Sequence, residues 1–142
     1  MSTRQSYYFA LLTALVWGIV PVFEKMGLSR LTPAAGIFVR CLAVSFGAVI
    51  LLSMKPAILS ELSKTPIKYI ALIVGGGFTA NFLGQLLFYH GLKNGDVSKL
   101  VPIAGAYPLI SFVMGVLILG EKITMVKSMG LGCILLGIVL LR

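Results

Sequence analysis

Acidic residues are nearly missing from this chain: four Asp and Glu stand against twelve Lys and Arg in 142 residues. Charge of either sign is scarce, at 11% of residues, where a soluble domain carries about 25%. With 58% hydrophobic residues and a mean hydropathy of +1.03, a soluble fold would have no polar surface to turn to water. The four acidic residues are Glu24, Glu61, Asp96 and Glu121. None stands at the centre of an apolar run, so a deep carboxyl group that trades protons for a solute is not expected. Cysteine is sparse too. Cys41 and Cys133 lie inside apolar runs without C-x-x-C spacing or a neighbouring His, as small packing residues do. No phosphate-binding glycine loop, metal-ligand cluster or Ser/His/Asp set is present. ATPase and enzyme chemistry are therefore not expected, and no cofactor or metal is called for.

What fills the chain is long apolar runs. A membrane-spanning helix needs about 20 predominantly apolar residues. Five stretches qualify, at about 7–26, 33–54, 67–92, 97–119 and 125–141, and they predict an all-α integral membrane protein of five transmembrane helices. The first run ends in Glu24-Lys25 rather than in a small-residue cleavage site, so it reads as a retained helix and not as a signal peptide. Helix punctuation marks the borders. Thr32-Pro33 and Thr65-Pro66 each place a capping hydroxyl before a proline. Asp96 suits the N-cap of the fourth helix, Gly27 and Gly120 suit left-handed C-terminal positions, and Asn94-Gly95 reads as a turn. The connections are short. The longest, about 55–66, is polar, and no soluble domain fits in any of them. Without an internal repeat, residues 1–142 read as one unit.

The cations sit between the apolar runs, where they anchor helix ends at lipid head groups. There is no basic stripe with interleaved aromatics, so nucleic acid is not an expected partner; the bilayer is. Five spans put the two ends of the chain on opposite sides. The N-terminal side, side A, holds Arg4, Lys55, Lys64, Lys68, Lys122 and Lys127. Side B holds Lys25, Arg30, Lys93, Lys99 and Arg142, and Arg40 lies inside the second helix. Lys/Arg asymmetry orients a membrane protein. Here the two sides nearly balance, which predicts insertion in both orientations, against a single orientation fixed by one or two dominant charges.

Polar residues within the spans are the candidates for function, because they are costly in lipid and turn inward or toward water. On the third helix, Asn81, Gln85 and Tyr89 recur at i, i+4 and i+8, on one face, beside a ladder of small residues, Gly76, Ala80 and Gly84. On the fourth, Tyr107 and Ser111 are again i and i+4. These faces either line a cavity or hydrogen-bond a neighbouring helix. Trp17, the sole tryptophan, is about 15 Å into the first helix, away from the interface that tryptophan prefers, and it either lines a cavity or fills space. Arg40 is roughly 10 Å below side B. It must snorkel, face a cavity or pair with a carboxylate, and Glu24 is the one carboxylate in reach. His90 and Glu121-Lys122 read as helix-end residues. Pro21, Pro102 and Pro108 are points where helices bend.

Several pieces in order resemble the EamA type of unit of the drug/metabolite transporter superfamily. They are Trp17-Gly18, Thr32-Pro33 with Arg40, and Phe88-Tyr89-His90-Gly91-Leu92-Lys93. From Val97 onward, Pro108, Leu119-Gly120-Glu121-Lys122-Ile123-Thr124 and Gly130 to Gly137 continue the match. The resemblance covers nearly the whole chain. It implies secondary transport of a small metabolite or drug-like solute across the cytoplasmic (inner) membrane, usually outward. Most members of that family carry two such units in opposite orientations, so this chain corresponds to one half of an inverted-repeat transporter. With balanced charges, the expectation is an antiparallel homodimer working by alternating access, with Trp17, Arg40, Asn81, Gln85, Tyr107 and Ser111 around the solute. The chain is also similar to the four-helix small multidrug exporters of the superfamily, which carry a glutamate in the first helix. Leu11 to Val20 has no carboxylate, so multidrug proton antiport is not expected. The rival expectations are a non-transporting membrane subunit or assembly partner of another membrane protein, and a narrow pore.

Overall fold

The computed structural model describes residues 3 to 141. Arg142, counted above on side B, lies outside the described residues. The chain is helical with no strand among them. Four stretches are long and apolar enough to cross a membrane, Arg4–Leu28, Pro33–Met54, Ile67–Asn94 and Val97–Leu119, and a shorter apolar helix, Met125–Leu140, follows. They follow the five expected apolar stretches, four of them of spanning length and the fifth shorter. They fall into two compact units, residues 1–94 and 95–142.

The first unit holds α1 (Thr3–Leu28), α2 (Pro33–Met54), α3 (Ala57–Lys64), α4 (Ile67–Phe78), a π-helical segment (Thr79–Gly84) and α5 (Gln85–Asn94). α1 runs past Glu24-Lys25 to Leu28, so both charged residues lie within the helix. Gly27 is therefore an ordinary helical residue and not a left-handed cap, since only Gly120 has a positive φ among the described residues. Thr32 does cap α2. Its side-chain oxygen accepts from the Ala35 N–H at 3.2 Å, with Pro33 in the first turn. Thr65 does not cap α4. The stretch read as a polar connection folds into α3, and Thr65 closes that helix, its hydroxyl donating to the Glu61 carbonyl at 2.9 Å.

The third span is one continuous run of backbone with a π turn in its middle. Such insertions widen a helix by one residue per turn and cluster at functional positions. A glycine run, Gly75–Gly77, precedes it, and Gly84 closes it with its Cα against the Thr79 carbonyl; a Cβ there would stand 3.3 Å from that oxygen. At Gly76, in the small-residue ladder, no side chain packs within the chain. The position a Cβ would take on Gly76 has no neighbour within 4 Å.

Packing within the first unit concentrates at the side-B end, where α1, α2 and α5 meet. Leu28, Ile37, Tyr89 and Leu92 are buried there, and Pro21 is buried one turn before Glu24. Gly36 makes the approach possible, since a Cβ on it would stand 3.0 Å from Leu28 Cδ2 and 3.1 Å from the Tyr89 ring. Nearly all other apolar side chains are exposed, as lipid requires. Lipid is as apolar as leucine, so close van der Waals contact and polar bonds, rather than hydrophobic burial, hold these helices together.

The second unit holds α6 (Val97–Ala104), α7 (Tyr107–Leu119) and α8 (Met125–Leu140). The fourth span is broken between α6 and α7. Pro102 has no N–H for the Ser98 carbonyl, and Pro108 cannot continue a helix past Ala104 without its ring meeting that carbonyl. The chain therefore restarts at Tyr107 with Pro108 in the first turn. Asp96 has the extended backbone of an N-cap, but its side chain makes no capping bond. α7 ends at Gly120 with φ 67°, and the N–H groups of Gly120 and Glu121 both donate to the Gly115 carbonyl. Thr124 caps α8 through the Lys127 N–H at 3.3 Å.

Candidate functional site

The polar groups of the first unit converge on Glu24. Its Oε1 accepts from Arg40 Nη1, from Gln85 Nε2 at 3.0 Å and from the Tyr89 hydroxyl at 2.9 Å. Its Oε2 accepts only the second, 3.2 Å branch of the Gln85 amide. Three elements supply these groups. Glu24 is on the last two turns of α1, Arg40 is on the second turn of α2, and Gln85 and Tyr89 are one turn apart on α5, on one face. A carboxylate in lipid is expensive unless paired and hydrogen-bonded. Here one cation and two neutral donors meet that need, and no buried side-chain nitrogen or oxygen among the described residues lacks a partner.

The pair is not sealed. The Glu24 side chain is 10% exposed and that of Arg40 30%. Both line a cavity of about 210 Å³ whose remaining wall is mostly apolar, with Leu28, Leu31, Val39 and Ala43. Tyr89 lines it too and is itself only 4% exposed.

One residue further along α1, Lys25 reaches across to the third span. Its Nζ donates to the Leu92 carbonyl at 2.6 Å and to the Lys93 carbonyl at 3.0 Å. Lys93 returns the contact, donating to the Leu31 carbonyl at 2.6 Å and the Leu28 carbonyl at 3.3 Å. Helix C-termini carry unpaired carbonyls and a partial negative charge. Two parallel helices that end side by side would repel there, and each supplies the cation that neutralises the other.

The structure brings Arg40 and Gln85 together around Glu24. It leaves Trp17 and Asn81 outside the cluster. Trp17 lies seven residues before Glu24, on the same side of α1 and about 10 Å along it, with its side chain exposed. Asn81 is in the π-helical segment, exposed and without a side-chain partner among the described residues. Tyr107 and Ser111 belong to the second unit, where both are exposed on α7. Pro21 lies inside α1, which runs through it unbroken. His90 is exposed on α5, its Nδ1 2.8 Å from the Leu86 carbonyl. Glu121 pairs with Lys127 at 3.4 Å, both largely exposed. Tyr89 and the two lysines were not among the residues expected at a site. Tyr89 announced itself only by its spacing from Gln85. The lysines gave no signal, because nothing in a sequence says which helix ends will be neighbours.

Comparison with known proteins adds to this geometry. The chain is 30% identical to an uncharacterized transporter of Pseudomonas aeruginosa over 95% of its own length and 45% of that protein's. It is 26% identical to a probable amino-acid metabolite efflux pump of Salmonella typhimurium over 98% of this chain and 43% of that one. It is 27% identical to an uncharacterized transporter of a Sinorhizobium species over 96% of both. The chain thus spans less than half the length of the Pseudomonas and Salmonella proteins. No solved structure matches it. The family model of the EamA-like transporters matches residues 4–142, and this multi-pass membrane chain belongs to that family.

Proposed function

We propose that this chain moves a small solute outward across the cytoplasmic membrane by alternating access, working as an antiparallel homodimer. The observation that carries the reading is the Glu24 cluster: a hydrogen-bonded ion pair inside the bilayer that stays open to a small cavity. Intramembrane ionisable groups mark solute pathways far more often than they serve stability. The dimer rests on the near balance of Lys and Arg between the two sides, which allows both insertions and hence an inverted pair.

In this mechanism the solute path runs from Trp17 and Asn81, at mid-depth, to Arg40 and Gln85 near side B. The reciprocal lysine caps and the buried Leu28, Ile37, Tyr89 and Leu92 close the side-B end, and rocking of one protomer on the other opens it. Pro21, the π turn and the break between α6 and α7 are places where helices bend without losing further backbone bonds.

Reconstitution tests this. Liposomes carrying the full chain are loaded with unlabelled amino acids, amines or nucleobases and given the labelled compound outside. Saturable counterflow for at least one class supports a carrier. Flux that never saturates identifies a pore, and no flux for any class removes the transport reading from this chain alone. Orientation is read separately with Lys64→Cys in a chain lacking Cys41 and Cys133. Labelling of about half the molecules by an impermeant thiol reagent supports the inverted dimer, and all-or-none labelling overturns it.

A further inference from the structure

The Glu24–Arg40 pair is bonded asymmetrically. Glu24 spends its Oε1 on three donors, while its Oε2 receives one shared branch of the Gln85 amide and keeps free lone pairs. Arg40 gives one N–H of its five to Glu24 and also interacts with the Tyr89 hydroxyl, which leaves further N–H donors of the guanidinium beyond these two contacts. An Arg–carboxylate pair that served only to neutralise charge would gain from two parallel bonds, the geometry the guanidinium fork favours. This one keeps an anion-binding edge and a cation-binding oxygen side by side, both in residues that line the same cavity.

The cavity sets the other terms. At about 210 Å³ it is smaller than pockets for drug-sized ligands, which begin near ~300 Å³, and it holds the equivalent of about seven waters at ~30 Å³ each. Its remaining wall carries Leu28, Leu31, Val39 and Ala43. Net charge decides which ligand such a place accepts. Glu24 and Arg40 sum to zero. A small carboxylate would leave a net negative charge in an apolar, lipid-surrounded space, and a small amine a net positive one; both are costly. A zwitterion leaves the sum at zero and satisfies both open edges.

We infer that the Glu24–Arg40 pair is the head-group receptor for a small zwitterion with a short apolar side group. Its carboxylate takes the free N–H donors of Arg40, its ammonium takes Glu24 Oε2, and its apolar part lies against Leu28, Leu31, Val39 and Ala43. This rests on the cavity being a solute site of the proposed carrier. Gln85 and Tyr89 are positioning residues, because they hold the carboxylate that receives the ammonium.

Three compounds that share one branched body separate the terms: L-valine, which has both head groups, isobutylamine, which lacks the carboxylate, and isovalerate, which lacks the amine. Their affinities are measured by calorimetry on the full chain in detergent micelles. The expected order places L-valine at least about tenfold tighter than either single-headed compound, the cost of leaving one charged partner unmet. Glu24→Gln reverses the order in favour of isovalerate, and Arg40→Gln reverses it in favour of isobutylamine. A role that was only structural would lower all three affinities together. Should a variant fail to fold, the order on the unaltered chain decides alone. Equal affinity of a single-headed compound, no binding of any of the three, or an unchanged order in Glu24→Gln overturns the inference. Counterflow of some other solute, with no preference for L-valine, overturns this inference and leaves the carrier standing. L-valine bound in the expected order, with no flux for any solute, does the reverse.

Discussion

Lys25 and Lys93 cap each other's helices. Lys25 reaches the Leu92 and Lys93 carbonyls at the end of α5, and Lys93 reaches the last carbonyl of α1, at Leu28, and the Leu31 carbonyl in the turn that follows, so that four hydrogen bonds tie the two helix ends together. Both ends would otherwise present unpaired carbonyls of the same polarity to each other.

That arrangement makes the two lysines unequal to other surface cations. Lys25→Met or Lys93→Met is expected to cost about 1–2 kcal/mol, the range for charge-assisted bonds at a helix C-terminus. Lys127→Met, whose partner Glu121 is 54% exposed, is expected to cost under about 1 kcal/mol. Thermal unfolding of the purified chain in one detergent ranks the three. Equal midpoints for Lys93→Met and Lys127→Met would remove the capping role.

The Glu24 cluster predicts a sign as well as a size. Arg40→Met leaves a carboxylate in lipid with only two neutral donors and is expected to destabilise by about 3 kcal/mol or more. Adding Glu24→Gln to Arg40→Met removes the stranded charge, so the double variant should unfold at a higher temperature than Arg40→Met alone. Additive losses would mean that the two side chains do not act as a pair.

Gly36 is the closest approach in the first unit. Gly36→Val must push Leu28 or the Tyr89 ring aside and is expected to cost about 1–3 kcal/mol, more than Gly36→Ala. Gly47→Ala, with no neighbour within 4 Å, should change little. A cross-linking pair between α1 and α2 would report the same loss as a reduced yield.

Gly120 is set by backbone and not by space. Its added Cβ would meet nothing within 4 Å, yet its φ of 67° costs an L-residue roughly 1–2 kcal/mol. Gly120→Ala should therefore lower the unfolding temperature, while Gly130→Ala, in the interior of α8 with equal space and no positive φ, should not.

Asn81 separates function from stability. Its side chain has no partner among the described residues, so Asn81→Leu should leave insertion and unfolding temperature as they were. If the solute passes the π turn, counterflow in the same variant should fall at least about tenfold, the cost of an unmet polar contact. Unchanged counterflow would take Asn81 out of the path.

The places where sequence and structure part are instructive. Thr32 caps α2, while Thr65, in the same Thr-Pro setting, closes a helix instead of opening one. The difference lies upstream: Ala57–Lys64 forms a turn and more of surface helix whose carbonyls claim the Thr65 hydroxyl first. Gly27 and Gly120 both follow apolar runs, but the chain after Gly27 still had a helical hydrogen bond to make, and the chain after Gly120 did not. The π turn was not legible at all. It needs one extra residue between two packed stretches, a count that depends on where α5 meets α1 and α2.

Amino-acid order alone determined that this chain lives in a bilayer and roughly which stretches are its apolar helices, although α1 runs on to Leu28 and the expected connection holds a helix of its own. Those properties follow from the transfer free energy of each segment, which adds up residue by residue without reference to any other segment. Only the tertiary structure decided which polar groups meet. Lipid solvates every apolar face equally well, so hydropathy does not say how each helix is rotated or which helix ends are neighbours. Arg40 had few places to go, and Glu24 was one of them. That Gln85, Tyr89 and two lysines would converge on the same end depended on Gly36, where α2 comes within van der Waals contact of Leu28 and Tyr89.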